Sequence, residues 1–158
     1  MNIRPAVPSD LDALDALYTE RQTIVAQSTP KLSPFPHGTP AWLDRPNGIV
    51  LVGGTPAAGY VSLWHTRWLE AHPLPANTAL LDHMALDAHA YHPGLGRALA
   101  EAARAWAAHH QQAQLWVLVP RYDPISQAFW RAVGASPLDA APAPLSLTGY
   151  QLMQKRIL

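Results

Sequence analysis

The segment His92-Pro93-Gly94-Leu95-Gly96-Arg97 has residue types and spacing suited to chemistry. Its two glycines stand where an apolar run gives way to a helical pattern, which describes a strand turning directly into a helix. The first backbone N–H groups of such a helix lack partners and converge near the strand's carboxyl end. Backed by the helix dipole they make an anion site, and Gly94 and Gly96 would let a pyrophosphate come close to the amides. Arg97 could add a charge-assisted contact. The same residues also suit an ordinary strand-to-helix turn, so the motif alone leaves both readings open. It is neither a Walker loop, which needs Gly-Lys-Ser/Thr, nor a dinucleotide fingerprint, which needs more glycines within a βαβ unit.

His83, Asp87, His89 and His92 flank this loop and invite a metal reading. Their spacing matches no standard zinc pattern, and solvated loop histidines explain them; no metal site is expected. The chain has no cysteine, which removes thiol nucleophiles, thiolate ligands and disulfides together. A nucleophile must then be a substrate or an oxygen or nitrogen group.

The elements that position the loop belong to a chain of 158 residues with 49% hydrophobic residues and a formal net charge of zero. That length suits a single domain over residues 1–158. Neutral charge disfavours a nucleic-acid partner. No apolar run approaches the roughly 20 residues that cross a bilayer, and no basic-then-apolar leader opens the chain. The expectation is a soluble cytoplasmic protein that does not engage membranes. No internal repeat is present.

Asn2 to Ala6 reads as a short extended start, and Ser9 as the N-cap of an amphipathic helix carrying Leu11, Leu14, Leu17 and Tyr18 to about Gln27. Residues 28–40 hold four prolines and read as a loop, with a short second helix capped at Thr39-Pro40-Ala41-Trp42-Leu43. Gly48–Val52 and Ala58–His65 flank a Gly-Pro turn and predict a hairpin. Thr78–Leu86 predicts a strand, and Leu95, Leu99, Ala102 and Trp106 a helix after the glycine loop. Histidines 109 and 110 suit the dipole of that helix's end. Gln114–Val119 predicts a buried strand, Pro124–Val133 a helix ending at Gly134, and Leu147–Ile157 a last strand. Strand, loop, helix and strand from 78 to 119 form one parallel crossover in a mixed sheet with helices on its faces.

Taken together, these segments resemble the GNAT family, the GCN5-related N-acetyltransferases, whose central motif is Arg/Gln-x-x-Gly-x-Gly/Ala. The resemblance covers nearly the whole chain. Asn2-Ile3-Arg4-Pro5-Ala6 with Asp10-Leu11 is similar to the family's opening, the Gly48–His65 hairpin to its second and third strands, and Leu81–Leu86 to its fourth. Phe129-Trp130-Arg131-Ala132-Val133-Gly134-Ala135 is similar to the segment ending Tyr-x-x-x-Gly-Phe. Departures are Tyr91 at the Arg/Gln position, His92 and Pro93 for Gly-x, Asp123 for a common Asn, and Trp130 for the usual Tyr.

The resemblance implies an α/β (α+β) fold: a mixed, mostly antiparallel sheet of six to seven strands flanked by four helices. It implies an acetyl-CoA-dependent N-acetyltransferase acting on a primary amine of a small molecule or peptide, by direct attack on the thioester. The alternative is an acyl-CoA-binding sensor or regulatory module with degenerate catalysis. Coenzyme A would be held by Met84, Leu86 and the loop Tyr91, His92, Pro93, Gly94, Leu95, Gly96 and Arg97, with Asp123, Ser126 and Trp130 beside it. The backbone N–H near Leu86 would stabilise the oxyanion. Asp82, four residues earlier and expected on the same strand face, would take the amine proton, whereas His83 would point away and simply pack. Trp130 can donate a hydrogen bond but has no proton to give a thiolate, so the proton returns through water or Tyr122 substitutes. The acceptor would enter near Trp64, His65 and Trp68, where apolar walls favour a small or partly aromatic amine. The last strand or its preceding loop could support a homodimer.

Overall fold

The computed structural model describes residues 2–28, 42–90, 92–121, 123–139, 142, 145 and 149–157. Tyr91, Tyr122 and the proline-rich stretch through Ala41 lie outside them, as do Leu147 and Thr148. The described chain runs β1 (Ile3–Pro5), a 3₁₀ turn (Pro8–Asp10), α1 (Leu11–Ser28), β2 (Gly48–Gly53), β3 (Gly59–His65), β4 (Arg67–Trp68), β5 (His72–Pro73) and β6 (Thr78–Leu86). It continues with α2 (Leu95–His109), β7 (Gln114–Pro120), α3 (Pro124–Ala132), β8 (Ser136–Pro137) and β9 (Tyr150–Arg156).

Seven strands form one sheet in the order β1-β2-β3-β6-β7-β9-β8, and β4 pairs with β5 in a small separate hairpin. Among the described strands only β6 and β7 run parallel, as the crossover from 78 to 119 requires. Three α-helices and the 3₁₀ turn are described, against four expected helices. The short helix expected over 39–43 falls mostly outside the described residues, and Trp42 and Leu43 are not helical. Trp42 instead packs edge-on against Tyr18 and Tyr60 and donates its indole N–H to Asp15 at 2.7 Å.

The first helix starts differently from its sequence signal. Ser9 is exposed, and Asp10 supplies the capping side chain: its Oδ2 accepts the Val7 N–H at 2.9 Å while Arg4 grips both carboxylate oxygens at 2.7 and 2.9 Å. A serine followed by an acidic residue resembles a cap, but the capping position is Val7, two residues earlier, so the Asp10 carboxylate occupies the third helical position.

Side-chain alternation along the strands separates two cores. Leu51, Val61, Leu63, Ala79, Leu81, Val117 and Val119 face α2 and pack on Leu95, Leu99 and Ala103. Val50, Val52 and Tyr60 face α1 and meet Leu14, Leu17 and Tyr18. A third cluster holds Trp64, Trp68, Leu80, Trp116, Leu118 and Tyr150; its strand positions alternate with those facing α2, so it shares the α1 face. Among the described residues no helix is long and apolar enough to cross a membrane.

Candidate active site

The parallel pair β6–β7 is joined only from Thr78↔Gln114 to Leu81↔Val117. Beyond Leu81 the strands diverge, so residues 83–86 are paired with β3 on one side and open on the other. The Asp87 N–H bonds the Ala58 carbonyl at 2.8 Å. By the alternation of strand backbone, the N–H and C=O groups of Met84 and Leu86 then point away from β3, into the gap β7 has left. A cavity of about 330 Å³ occupies this divergence, lined from β6 by Asp82, His83, Met84 and Leu86 and from α3 by Ser126, Phe129 and Trp130. It reaches both faces of the sheet, since Trp130 belongs to the α2-side core and Tyr150, also lining it, to the α1 side.

At the carboxyl end of β6 the chain turns into α2 through Gly94, whose φ of 76° is left-handed and suits glycine. The helical ladder begins with the Ala98 N–H on the Gly94 carbonyl at 2.9 Å, and the Leu95 N–H turns back to His92 at 3.2 Å. The amides of Gly96 and Arg97 precede the ladder and have no backbone partner outside the helix among the described residues, which leaves them able to meet an anion. A Cβ on Gly94 would meet nothing within 4 Å, so the approach to these amides is open. Gly96 has another purpose: its Cβ would lie 3.1 Å from the Phe129 ring, so its bareness admits α3 rather than a ligand. Leu95 is buried in the core, while Pro93, Gly94 and Arg97 are exposed and His92 is half-buried.

The face expected for Asp82 needs correction. Ser62 pairs with His83, but Leu63 pairs with Leu81, so Asp82 is an extra residue in β6, a β-bulge. One inserted residue reverses face parity. Leu86 therefore lies against Leu95 and Gly96 on the α2 side, whereas Asp82 and His83 both project to the α1 side. His83 does not point away from Asp82; it lines the same cavity.

Asp82 is 2% exposed, and its Oδ2 accepts the indole N–H groups of Trp64 and Trp68, each at 3.0 Å. No described hydrogen bond reaches its Oδ1. Burial pushes this carboxyl above its ordinary value, against the opposing pull of Arg45, Ser62 and the two indoles. His83 holds Tyr60 Oη on Nδ1 and Gln22 at 3.2 Å from Nε2, and burial with the nearby Arg21 drops its pKa to about 3. It is a neutral, structurally engaged imidazole.

Across the cavity Arg21 spans from α1 to the start of α3, donating from Nη2 to Asp123 Oδ2 and to Ser126 Oγ, each at 2.5 Å. Burial raises the Asp123 carboxyl, but bonds from Ser126 and Arg21 outweigh it and hold the group below its usual value. Asp123 is thus spoken for by Arg21. Trp130 is buried in the α2-side core, as its bulk and apolarity favour. Of the expected acceptor residues, Trp64 acts on Asp82 without lining the cavity, and His65 lies elsewhere, its ring tilted against Trp106 and His110 at the end of α2. Asp87 and His89 lie on the exposed side of the loop, where Asp87 Oδ1 accepts the His89 N–H.

Arg21, Gln22 and Tyr150 carried no sequence signal for a site. Arg21 and Asp123 are 102 residues apart, and periodicity within α1 shows its buried stripe but not the distant partner of a polar residue. Burial raises the Tyr150 phenol to about 12, so it stays protonated in the cavity.

A family model described as the acetyltransferase (GNAT) family matches residues 12–135. No curated protein matches the sequence. Solved structures similar to this fold include a ribosomal-protein-alanine N-acetyltransferase from Brucella melitensis, at 21% identity, TM-score 0.69 and 99% of each chain covered. The GNAT domain of PAT from S. lividans is similar at 14% identity and TM-score 0.71, covering 98% of this chain and 89% of that one. An acetyltransferase of the GNAT family from Staphylococcus aureus is similar at 12% identity and TM-score 0.71, with 99% of each chain covered.

Proposed function

The chain belongs to the acetyltransferase (GNAT) family, and from that premise we propose that it transfers an acetyl group from acetyl-CoA to the primary amine of a small molecule. The observation that carries this reading is a cavity that joins an open strand edge to a buried carboxylate, one oxygen of which takes no described hydrogen bond, next to a helix start that is open at Gly94. The residues present fit coenzyme A. Amides of Gly96 and Arg97 would take its phosphates, and the open edge at Met84 and Leu86 would pair with its amide-bearing arm. Bound coenzyme A supplies an activated acyl group on sulfur.

In this chain Asp82, whose oxygens are enclosed, takes a proton from the amine relayed through water as the amine nitrogen forms a bond to the carbonyl carbon. The Leu86 N–H faces the open edge and stabilises the oxyanion. The carbon–sulfur bond then breaks, and the departing thiolate is protonated by water carrying the proton that Asp82 received. Trp130 contributes packing only, since indole has no proton to release in this range. Val25, Leu118 and Tyr150 line the α1 side, and the chemistry there suits an apolar or aromatic amine.

Trp130 also favours a second reading, an acyl-CoA-binding module with slow turnover. Calorimetry with acetyl-CoA tests what the two readings share. Gly94→Ala carries the strain of a positive φ alone, whereas Gly94→Glu adds a carboxylate in the phosphate path. Glu should weaken binding tenfold or more beyond Ala, by about 1.4 kcal/mol or more. Absence of binding by the unmodified protein would sink both readings. Free-thiol release across a panel of primary amines then separates enzyme from sensor.

A further inference from the structure

Between β3 and β6 the chain makes an excursion, over residues 66–77, that the sheet itself does not need. It contains the β4–β5 hairpin and places Thr66, Leu69, Glu70 and Asn77 at φ of 65°, 56°, 59° and 60°. Non-glycine residues in the left-handed region are uncommon and cost backbone energy, so four in one segment call for a compensating gain. The visible gain is Trp68: it is 1% exposed, and its indole N–H ends 3.0 Å from Asp82.

We propose that Trp68, together with Trp64, is a positioning residue for Asp82: the two indoles claim Oδ2 and thereby make Oδ1 the oxygen that accepts the amine proton. This rests on Asp82 being the base.

The argument is one of donor inventory. Indole N–H donates and cannot accept. A proton on Oδ2 would crowd two donors and weaken both bonds, so protonation is directed to Oδ1. A second consequence concerns acidity. Burial disfavours the carboxylate, and every donor on it favours the charged form. Without the indoles this buried carboxyl would hold its proton to a higher pH. Arg45 reinforces the arrangement from outside: its guanidinium lies 4.3 Å from the Trp64 ring centroid and its Nη1 donates to Ser62 Oγ at 2.7 Å. Ser62 and Arg45 favour the same charged form. The groups facing Asp82 are then Trp64, Ser62 and the Tyr60 phenol from β3, Trp68 from the hairpin, Arg45 from the segment before β2 and the Tyr18 phenol from α1.

The test is the pH dependence of kcat/KM in the unmodified protein, Trp68→Phe, Trp64→Phe, Asp82→Asn and the double variant Asp82→Asn/Trp68→Phe. Removing a donor raises the Asp82 pKa, so the acidic limb should move up by about one pH unit or more in each single Phe variant. Asp82→Asn should abolish the limb, and Trp68→Phe should cause no further loss in that background. If Asp82→Asn keeps the rate and the limb, the base assignment fails. If it loses them while the Phe variants keep the original limb, the positioning inference alone is overturned. Should the Phe variants not fold, the unmodified ¹⁵N-labelled protein answers the same question. Two indole N–H signals should titrate with one shared midpoint and be fixed in Asp82→Asn. Indole signals indifferent to Asp82 would overturn the proposal.

Discussion

The two walls of the cavity are built from different materials. On the α2 side the groups offered to a ligand are main-chain: the edge of β6 at Met84 and Leu86 and, beyond the cavity's own lining, the amides that open α2. On the α1 side they are side chains, Asp82, His83 and Arg21, each fixed by partners distant in sequence. A main-chain wall demands glycines, strand divergence and little else, so it survives Pro93 or Trp130 in place of more usual residues. A side-chain wall depends on every partner being in place. Substitution should therefore injure the second wall more selectively than the first.

The strongest way to sharpen that contrast is Asp82→Asn. General-base catalysis contributes typically ~10²–10⁴-fold, and the amide is close to the same size and can still accept the indole bonds through its oxygen. Steady-state assays should show kcat reduced by at least ~10²-fold, while calorimetry finds acetyl-CoA affinity within about threefold of the unmodified protein. Equal loss of both quantities would erase the distinction between the walls.

Next in size is the ion pair that joins the walls. Replacing Arg21 by Met leaves Asp123, with 7% side-chain exposure, without its cation. Arg21 itself is 22% exposed, so solvent screens part of the interaction. Denaturant unfolding should show a loss of about 1–3 kcal/mol at neutral pH. The sign with pH follows from Asp123: its folded value lies below the unfolded one. The stability from the pair is therefore complete above the unfolded carboxyl's ordinary ~3.9 and disappears as pH falls through the lowered folded value. The gap between unmodified protein and Arg21→Met should close over that acidic range. A gap constant down to the lowest pH would mean the pair contributes through packing alone.

The same contrast explains what was legible beforehand. Strand and helix limits follow from periods of two and 3.6, and glycine with proline marks the turns, so the sheet, the crossover and the main-chain wall could be read from residues 48–119. The side-chain wall could not be read so fully. Asp82 and Leu86 share a face under strict alternation, but the bulge that separates them is made by how β3 and β6 register, and no residue in Leu81-Asp82-His83-Met84 announces it. Likewise Trp64 and Trp68 read as aromatic lining, because a sequence shows the indoles but not the carboxylate oxygen they share. His65 follows Trp64 directly and so alternates to the other face, where it meets Trp106 and not the cavity.

The smallest expected effect separates the two glycines of one loop. Gly96→Ala puts a Cβ 3.1 Å from the Phe129 ring and 3.5 Å from Leu86 Cδ1. Both neighbours are side chains, and a shift of a few tenths of an ångström relieves the contact. Alanine also gains about 1 kcal/mol of helix propensity over glycine in a helix interior, against an overpacking cost of about 1–3 kcal/mol. The balance is a stability loss of about 1 kcal/mol, read as a lower denaturant midpoint with unchanged slope. Acetyl-CoA affinity should move by less than about threefold, because the amides of Gly96 and Arg97 keep their direction. Gly94→Glu, two residues away, should do the reverse, since its side chain enters open space in front of those amides. If Gly96→Ala instead weakened binding as strongly as Gly94→Glu, the bareness of Gly96 would belong to the ligand, and its packing against Phe129 would be incidental.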